Sequence, residues 1–435
     1  MTLTEAADAA ARTVLENLWM GAPAQRVDSP PGAGKTGLVE RVAALLLGVM
    51  HARCAIATTT NEQCFDLARR LADAFRTLEF TLFVSDKLEL PGDLSARPNL
   101  RIATKVDELP EGPCVVLANA AKWSWIQGDV RPFDLLVVDE AFQLPDYRFA
   151  LIAGIATKIL LVGDPGQIAP VISCSVERWR ADPTGPQVPC PDALVARHPW
   201  VPRVRLPVSR RLVADTVSVV QPAFYPDLPF AALDGDGARG LVLQGRGSAA
   251  LDAVARGVSL VLAELPEAVT APVDGPLADA VVWMVGELFA RRAVVRDRGT
   301  ERVVRAEDVG VVCAHVAQVN AVRARLPEAM AGVLVETAER FQGLERALMF
   351  VHHPLSGRAS LSEFQLDAGR LCVMTTRHRV GCVIVARAGT EERLMRHAPS
   401  GERVLGRARD DAYEGWRANR EVFAALRARG RCVAG

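Results

Sequence analysis

Ser29-Pro30-Pro31-Gly32-Ala33-Gly34-Lys35-Thr36 follows a short approach to Val27 and precedes an apolar-periodic segment at 38–50. A turn of small residues between a strand and a helix lets consecutive backbone N–H groups converge on a phosphate chain, which the positive end of the helix also favours. In that arrangement Lys35 reaches the β- and γ-phosphates and the Thr36 hydroxyl holds Mg²⁺. The pattern G-x-x-x-x-G-K-T is met with one departure, Ser29 at the first glycine. A turn and helix cap that binds nothing accounts poorly for Gly-x-Gly-Lys-Thr after two prolines, so nucleotide binding is the expectation.

Outward from this loop, the 435 residues are too many for one ordinary core and fit two domains of about 200 residues each. The formal net charge is zero, which excludes a global field for nucleic acid or a membrane. Any polyanion site must therefore be a local groove. Lysine occurs only at 35, 87, 105, 122 and 158, so 46 of the 51 basic residues are arginine, and a single arginine is by default a surface residue. The nine cysteines form no C-x-x-C pair and no Cys/His cluster of zinc spacing, as expected for reduced thiols in a cytosolic protein. No run of about 18 apolar residues occurs, and the acidic, Ala-rich stretch 2–16 lacks the basic start of a signal peptide. A soluble, cytoplasmic chain with no membrane partner is expected.

Helical spacing at 5–20 closes at Gly21. A strand at 53–59, a helix at 62–75 and strands at 100–103, 114–118, 135–138 and 158–162 follow. Strands alternating with helices predict a parallel sheet covered on both faces. The stretch 173–203 is rich in Pro, Arg and Trp and breaks periodicity, which sets domains at 1–203 and 204–400 and a helical tail at 401–435. In the second domain 222–229 and 233–247 read as loops, 277–291 as a helix, and 309–313, 332–336, 348–352 and 382–385 as strands. This is a second α/β unit, without a phosphate loop of its own.

Leu135-Leu136-Val137-Val138-Asp139-Glu140-Ala141 is an apolar strand ending in two carboxylates. Alternation along an extended chain sends Asp139 and Glu140 in different directions, so one can hold Mg²⁺ while the other orients an attacking water. A second apolar strand ends in Gly163-Asp164-Pro165-Gly166-Gln167. Its position at the sheet edge would put Gln167 beside the γ-phosphate; by itself it also reads as an ordinary Asp-Pro-Gly turn.

The order of these motifs resembles superfamily 1 helicases, in particular the 5′-to-3′ branch that includes the RNA-decay helicases. Pro30 to Thr36, Asp139-Glu140-Ala141-Phe142-Gln143 and Gly163-Asp164-Pro165-Gly166-Gln167 resemble motifs I, II and III. Leu206-Pro207-Val208-Ser209-Arg210-Arg211 with Phe224-Tyr225 is similar to the L-x-x-x-[YF]-R segment. Residues 310–325, Glu336-Thr337 through Phe341-Gln342-Gly343-Leu344-Glu345, and Gly369-Arg370-Leu371 through Thr375-Thr376-Arg377 resemble motifs IV, V and VI. The resemblance covers roughly residues 20–390.

It implies two tandem RecA-like domains with ATP in the cleft between them. Pro31, Gly32, Ala33, Gly34, Lys35, Thr36, Asp139, Glu140 and Gln167 would come from the first domain. Arg211 and Arg377 would be arginine fingers from the second, with Glu345 on the ribose. Thr59, Thr60 and Asn61 would be the motif Ia contacts to single-stranded nucleic acid. Trp123 and Trp125, beside Lys122, would stack on bases, although tryptophans in such a pattern are more often core. Several positions depart from the family. No adenine-reading Gln motif precedes the phosphate loop, Arg346-Ala347 follows Glu345, and Met374-Thr375 stands where Ala-Leu is usual. The spacing leaves no room for accessory insertions between Thr36 and Asp139.

The expected activity is that of an ATP-dependent single-strand translocase or helicase running 5′ to 3′, with ATP and Mg²⁺. A protein partner supplying a nuclease, loading or regulation is compatible with so small a motor. The rival expectation is a nucleotide-switched regulatory subunit that clamps nucleic acid or protein without processive motion.

Overall fold

The computed structural model describes residues 3–126, 131–172, 175–179, 182–235, 237–270, 273–397 and 411–434, and all structural statements concern these. Packing divides the chain into two units at Pro207/Val208, with Gly166–Ile168 and the segment from 411 onward counted with the second.

The first unit is built on β1 (Ala24–Asp28), β2 (Arg53–Thr58), β3 (Phe80–Phe83), β4 (Leu100–Ala103), β5 (Cys114–Asn119), β6 (Phe133–Asp139), β7 (Ala156–Gly163) and β8 (Arg203–Arg205). They form one sheet in the order β4-β3-β5-β2-β6-β7-β1-β8, with every pairing parallel. Period-two alternation assigns the faces. On β2, Cys54 and Ile56 join the core under the helices Leu3–Trp19, Lys35–Gly48 and Asn61–Ala74, while Ala55 and Ala57 join the opposite core with Trp123, Phe133 and Phe149. Both faces are buried, which is why these strands read as continuous apolar runs. Because β6, β7 and β1 are neighbours, the chain leaving their C-terminal ends puts Asp139, Gly163 and the phosphate loop on one edge.

In the second unit β9 (Val208–Ser209) pairs with β10 (Ala231–Ala232), and β11 (Arg239–Val242), β13 (Val294–Asp297) and β14 (Thr300–Val303) form a small antiparallel sheet. The main sheet is parallel, in the order β16-β15-β17-β18-β12-β19, from β12 (Leu260–Leu265), β15 (Val309–Cys313), β16 (Leu334–Thr337), β17 (Arg346–His352), β18 (His378–Arg387) and β19 (Cys432–Ala434). Together the two sheets make an α/β protein of tandem RecA-like units.

The structure departs from the sequence pattern at several elements. β3, β8, β12 and β19 are strands where none is predicted, and β11 lies inside the expected loop 233–247. Leu-Val-Leu-Ala-Glu-Leu of β12 is good helix composition by propensity, and burial between β18 and β19 overrides it. Within 173–203, Cys190–Arg197 is a helix and β8 still belongs to the first sheet; 173, 174, 180 and 181 lie outside the described residues. Of the stretch set apart at 401–435, residues up to 410 also lie outside them. Helix Asp411–Ala428 puts Trp416, Val422, Phe423 and Leu426 into the second unit's core.

Three histidines lie in the second unit's interior. Burial pushes His352, His353 and His378 each down to about 3. In the unfolded chain an imidazole takes its proton near about 6.5, so between about 3 and 6.5 the unfolded state binds more protons and stability falls as pH falls. At pH 5 each of these histidines should cost about 2 kcal/mol relative to neutral pH. The urea midpoint of the second unit is therefore expected to drop from pH 7 to pH 5; an unchanged midpoint would mean that they are not held neutral.

Candidate active site

At the foot of β1 the chain turns into the phosphate loop. Ser29 is buried, its N–H donates to the Gly163 carbonyl at 2.8 Å, and its φ is not positive. That accounts for the motif's departure: the first position needs no glycine here. Gly32 (φ 72°) and Gly34 (φ 87°) do occupy the left-handed region and flank Ala33, curving the loop's amides into a concave surface. Gly34 caps helix Lys35–Gly48 without any side-chain acceptor, so the first helical N–H groups remain available to an anion. The end of β1 is fixed by Asp28, fully buried and paired with Arg26 Nε at 2.6 Å and with Arg203. Arg26 in turn pairs with Asp192 at 2.7 Å and lies over the Phe142 ring at 4.9 Å.

β6 ends at Asp139, and Glu140 adopts φ 54°, ψ 40°. A left-handed glutamate is strained, by about 1 kcal/mol or more. The two carboxylates are therefore separated by a turn and not by strand alternation. The Glu140 N–H donates to Asp139 Oδ1 at 3.0 Å, and Glu140 Oε1 meets Lys35 Nζ at 2.5 Å. Burial, with the Glu140 charge adding to it and Lys35 opposing, holds the Asp139 carboxyl above its usual range. Gly163, on the neighbouring β7, allows this approach: a Cβ there would lie 2.8 Å from Phe142 Cδ2 and 3.0 Å from the Ala141 nitrogen.

These oxygens suit Mg²⁺. Asp139 is a buried carboxylate short of positive charge, one of its oxygens already accepts a hydrogen bond, and no group of three or more His, Cys, Asp or Glu that could hold a metal occurs among the described residues. A hard cation using one carboxylate, one hydroxyl from Thr36 and substrate phosphates needs no protein cage.

Gln167 follows β7 by four residues. Gly166–Ile168 is counted with the second unit, where a Cβ on Gly166 would lie 2.4 Å from the Tyr225 ring and one on Gly369 would lie 2.5 Å from the Gln167 carbonyl oxygen. Two glycines without side chains let this strip seat itself there. Thr59, Thr60 and Asn61 lie just past the C-terminal end of the interior strand β2. Thr60 caps helix Asn61–Ala74, accepting from the Gln63 N–H at 3.2 Å, and Asn61 Oδ1 accepts from Asn119 Nδ2 at 2.5 Å. Gln63, which lies in none of the motifs, and Gln143, the last residue of the motif II segment, connect these residues to the carboxylates: Thr59 Oγ1 lies 2.6 Å from Gln63 Oε1 and 3.3 Å from Gln143 Oε1, and Gln63 Nε2 donates to Gln143 Oε1 at 3.1 Å. Gln143 at the end of Asp139-Glu140-Ala141-Phe142-Gln143 was the available signal.

Trp123 must be removed from the base-stacking set. It is 0% exposed, its Nε1 donates to the Ile56 carbonyl at 2.9 Å, and it packs against Phe83 and Phe133 at 5.9 and 5.5 Å. Two positions on, Trp125 is 82% exposed. Trp123→Ala should destabilise the first unit by about 3–5 kcal/mol. Trp125→Ala should leave the melting temperature within a degree or two. Equal melting of the two variants would contradict this division.

In the second unit Arg211 Nε pairs with Glu345 Oε2 at 2.6 Å. Burial alone would raise the Glu345 carboxyl, but Arg211, Arg379 and Arg239 together hold it below its usual range. Arg210 is exposed and Arg211 half-buried, so of the two it is Arg211 that faces Glu345. Arg377, 2% exposed, follows helix Ala368–Thr375, and its carbonyl accepts from the Arg346 N–H at 2.9 Å.

A phosphate loop on one of two RecA-like parallel sheets defines a P-loop α/β protein. Within it, residues 278–389 match the family model described as an AAA domain. Comparison with curated proteins gave no match. Among solved structures the chain is similar to the PRRSV helicase (14% identity, 88% of this chain and 54% of that one, TM-score 0.43). It is also similar to the arterivirus nonstructural protein 10 helicase, solved in complex with DNA (15% identity, 88% and 63%, TM-score 0.42) and in a further crystal structure (15%, 88% and 61%, TM-score 0.44). The chain thus spans 54–63% of the length of these viral helicases. The family-model match lies wholly within the second unit and covers about a quarter of the chain.

Proposed function

We propose that this chain is an ATP-dependent translocase of single-stranded nucleic acid, a helicase stepping 5′ to 3′ in the cytoplasm. The observation that carries the reading is the Lys35–Glu140 pair at 2.5 Å beside the buried Asp139, at the mouth of a loop with left-handed glycines 32 and 34. Bound Mg·ATP supplies the phosphoryl group and neutralises phosphate charge. On nucleotide binding Lys35 exchanges its carboxylate partner for phosphate oxygens. Glu140, so released, is free to orient a water and accept its proton, while Asp139 and Thr36 supply the oxygens for the cation. Arg211 and Arg377 act as cations on the transferring phosphoryl group, Gln167 reports its loss, and Glu345 receives the ribose. Thr59, Thr60 and Asn61 hold backbone phosphates, a mode that suits a neutral protein with a local groove.

The testing experiment is steady-state ATP hydrolysis by the purified chain, alone and with poly(dT) or poly(U), with Lys35→Ala as the blank. Strong stimulation by one polymer, abolished by Lys35→Ala, is the expected result and selects DNA or RNA. Hydrolysis indifferent to both polymers would instead favour the nucleotide-switched regulatory subunit, and strand displacement by the isolated chain separates the two.

A further inference from the structure

The antiparallel sheet β11-β13-β14 carries no family motif, yet it grips the backbone that bears Arg211. Arg239, at the start of β11, is buried, with its side chain 3% exposed. Its Nη2 donates to the Arg210 carbonyl at 2.8 Å and its Nη1 to the Arg211 carbonyl. The remaining N–H groups meet Asp297 Oδ1, on the register partner in β13, at 2.9 Å and Asp234 Oδ2 at 3.0 Å. A second guanidinium, Arg298, also donates to the Arg210 carbonyl at 2.8 Å and pairs with Asp234 at 3.0 Å.

Two adjacent carbonyls held by one planar guanidinium, itself held by two carboxylates, leave little freedom to the peptide between them. A fork of this geometry cannot be copied by an ammonium group. From that peptide the Arg211 side chain reaches Glu345 at 2.6 Å. The loop is also bonded from the Leu212 N–H to Ser209 Oγ at 3.1 Å and from the Leu233 N–H to the Ser209 carbonyl at 2.8 Å.

We propose that Arg239 is a positioning residue for Arg211: it fixes the Arg210–Arg211 backbone and with it the direction in which the Arg211 guanidinium is presented. The inference rests on the reading of Arg211 as a finger given above. It adds that the accessory sheet, through one buried arginine, sets the finger's position. Arg298, half exposed and bonded to one carbonyl only, contributes less.

The experiment compares Arg239→Ala, Arg211→Ala and the double variant in Mg·ATP turnover with poly(dT) or poly(U), together with hydrogen exchange at the Leu212 amide. A displaced finger should lower kcat about 10²-fold with KM little changed. In the Arg211→Ala background the same change should have no further effect. Leu212 should exchange about tenfold faster or more, reflecting a lost charge-assisted hydrogen bond. Should Arg239→Ala not fold, Arg239→Lys keeps a cation for Asp234 and Asp297 while losing the fork, and the same losses are expected. Unchanged exchange at Leu212 in a folded variant overturns the proposal whatever turnover does. So does a double variant that loses the full factor again, since Arg239 would then act independently of Arg211. If Arg211→Ala alone keeps normal turnover, it is the finger assignment that fails, and the exchange experiment still decides whether Arg239 holds the loop.

Discussion

Glu140→Gln should bind ATP at least as tightly as the parent while hydrolysing it about 10²–10⁴ times more slowly. The amide has nearly the volume of the carboxylate, so it can occupy the same left-handed turn at φ 54°. What it loses is charge and basicity. Lys35 no longer has an anionic partner at 2.5 Å to surrender, which favours phosphate binding, and no group at that point can accept the water's proton. Asp139 also loses the neighbouring charge that helps to hold its carboxyl up, and it should shift downward. Fluorescent-nucleotide titration beside phosphate release reads both halves of the expectation. Normal turnover by the purified variant would sink the assignment of Glu140.

Arg377→Ala should abolish hydrolysis, with a loss of about 10³–10⁵ if it acts as a finger on the transferring phosphoryl group. Arg377→Lys should not restore it, because an ammonium cannot reproduce the planar fork. The side chain is 2% exposed, so both variants are also expected to melt somewhat earlier, and circular dichroism must show the fold intact at the assay temperature. An alanine variant that melts earlier but keeps full turnover would make Arg377 a structural residue.

How much of this was legible depends on whether a residue's role is local. β6 and β7 were readable because apolar runs that stop at Asp139 and at Gly163-Asp164-Pro165 carry their own boundaries. The turn from β1 into helix Lys35–Gly48 was readable for the same reason, and Ser29 fits it because its backbone stays out of the left-handed region. β12 was not readable, since Leu, Ala and Glu favour a helix until a sheet surrounds them. Trp123 and Trp125 differ by two residues and by 82% exposure, a distinction set by which side of a short helical turn meets Phe83 and Phe133. Arg239 was invisible among 46 arginines because Arg210, Arg211 and Asp234 lie on separate segments and Asp297 meets it only through the antiparallel register. The passage of Gln167 to the second unit likewise depends on Tyr225 and Gly369, which no local pattern connects to it.

Strand β19 pairs with β12, its partner from about 170 residues earlier in the chain. On the ribosome, β12 emerges with that edge open, and the strand that closes it arrives only after roughly ten to thirty seconds of further synthesis. During that interval a buried-type strand, Leu260–Leu265, displays unpaired peptide groups and apolar side chains, the kind of edge that recruits wrong partners. Among the described residues, the first unit has every strand of its sheet by Arg205, whereas the second cannot complete its sheet until Cys432–Ala434 has been made.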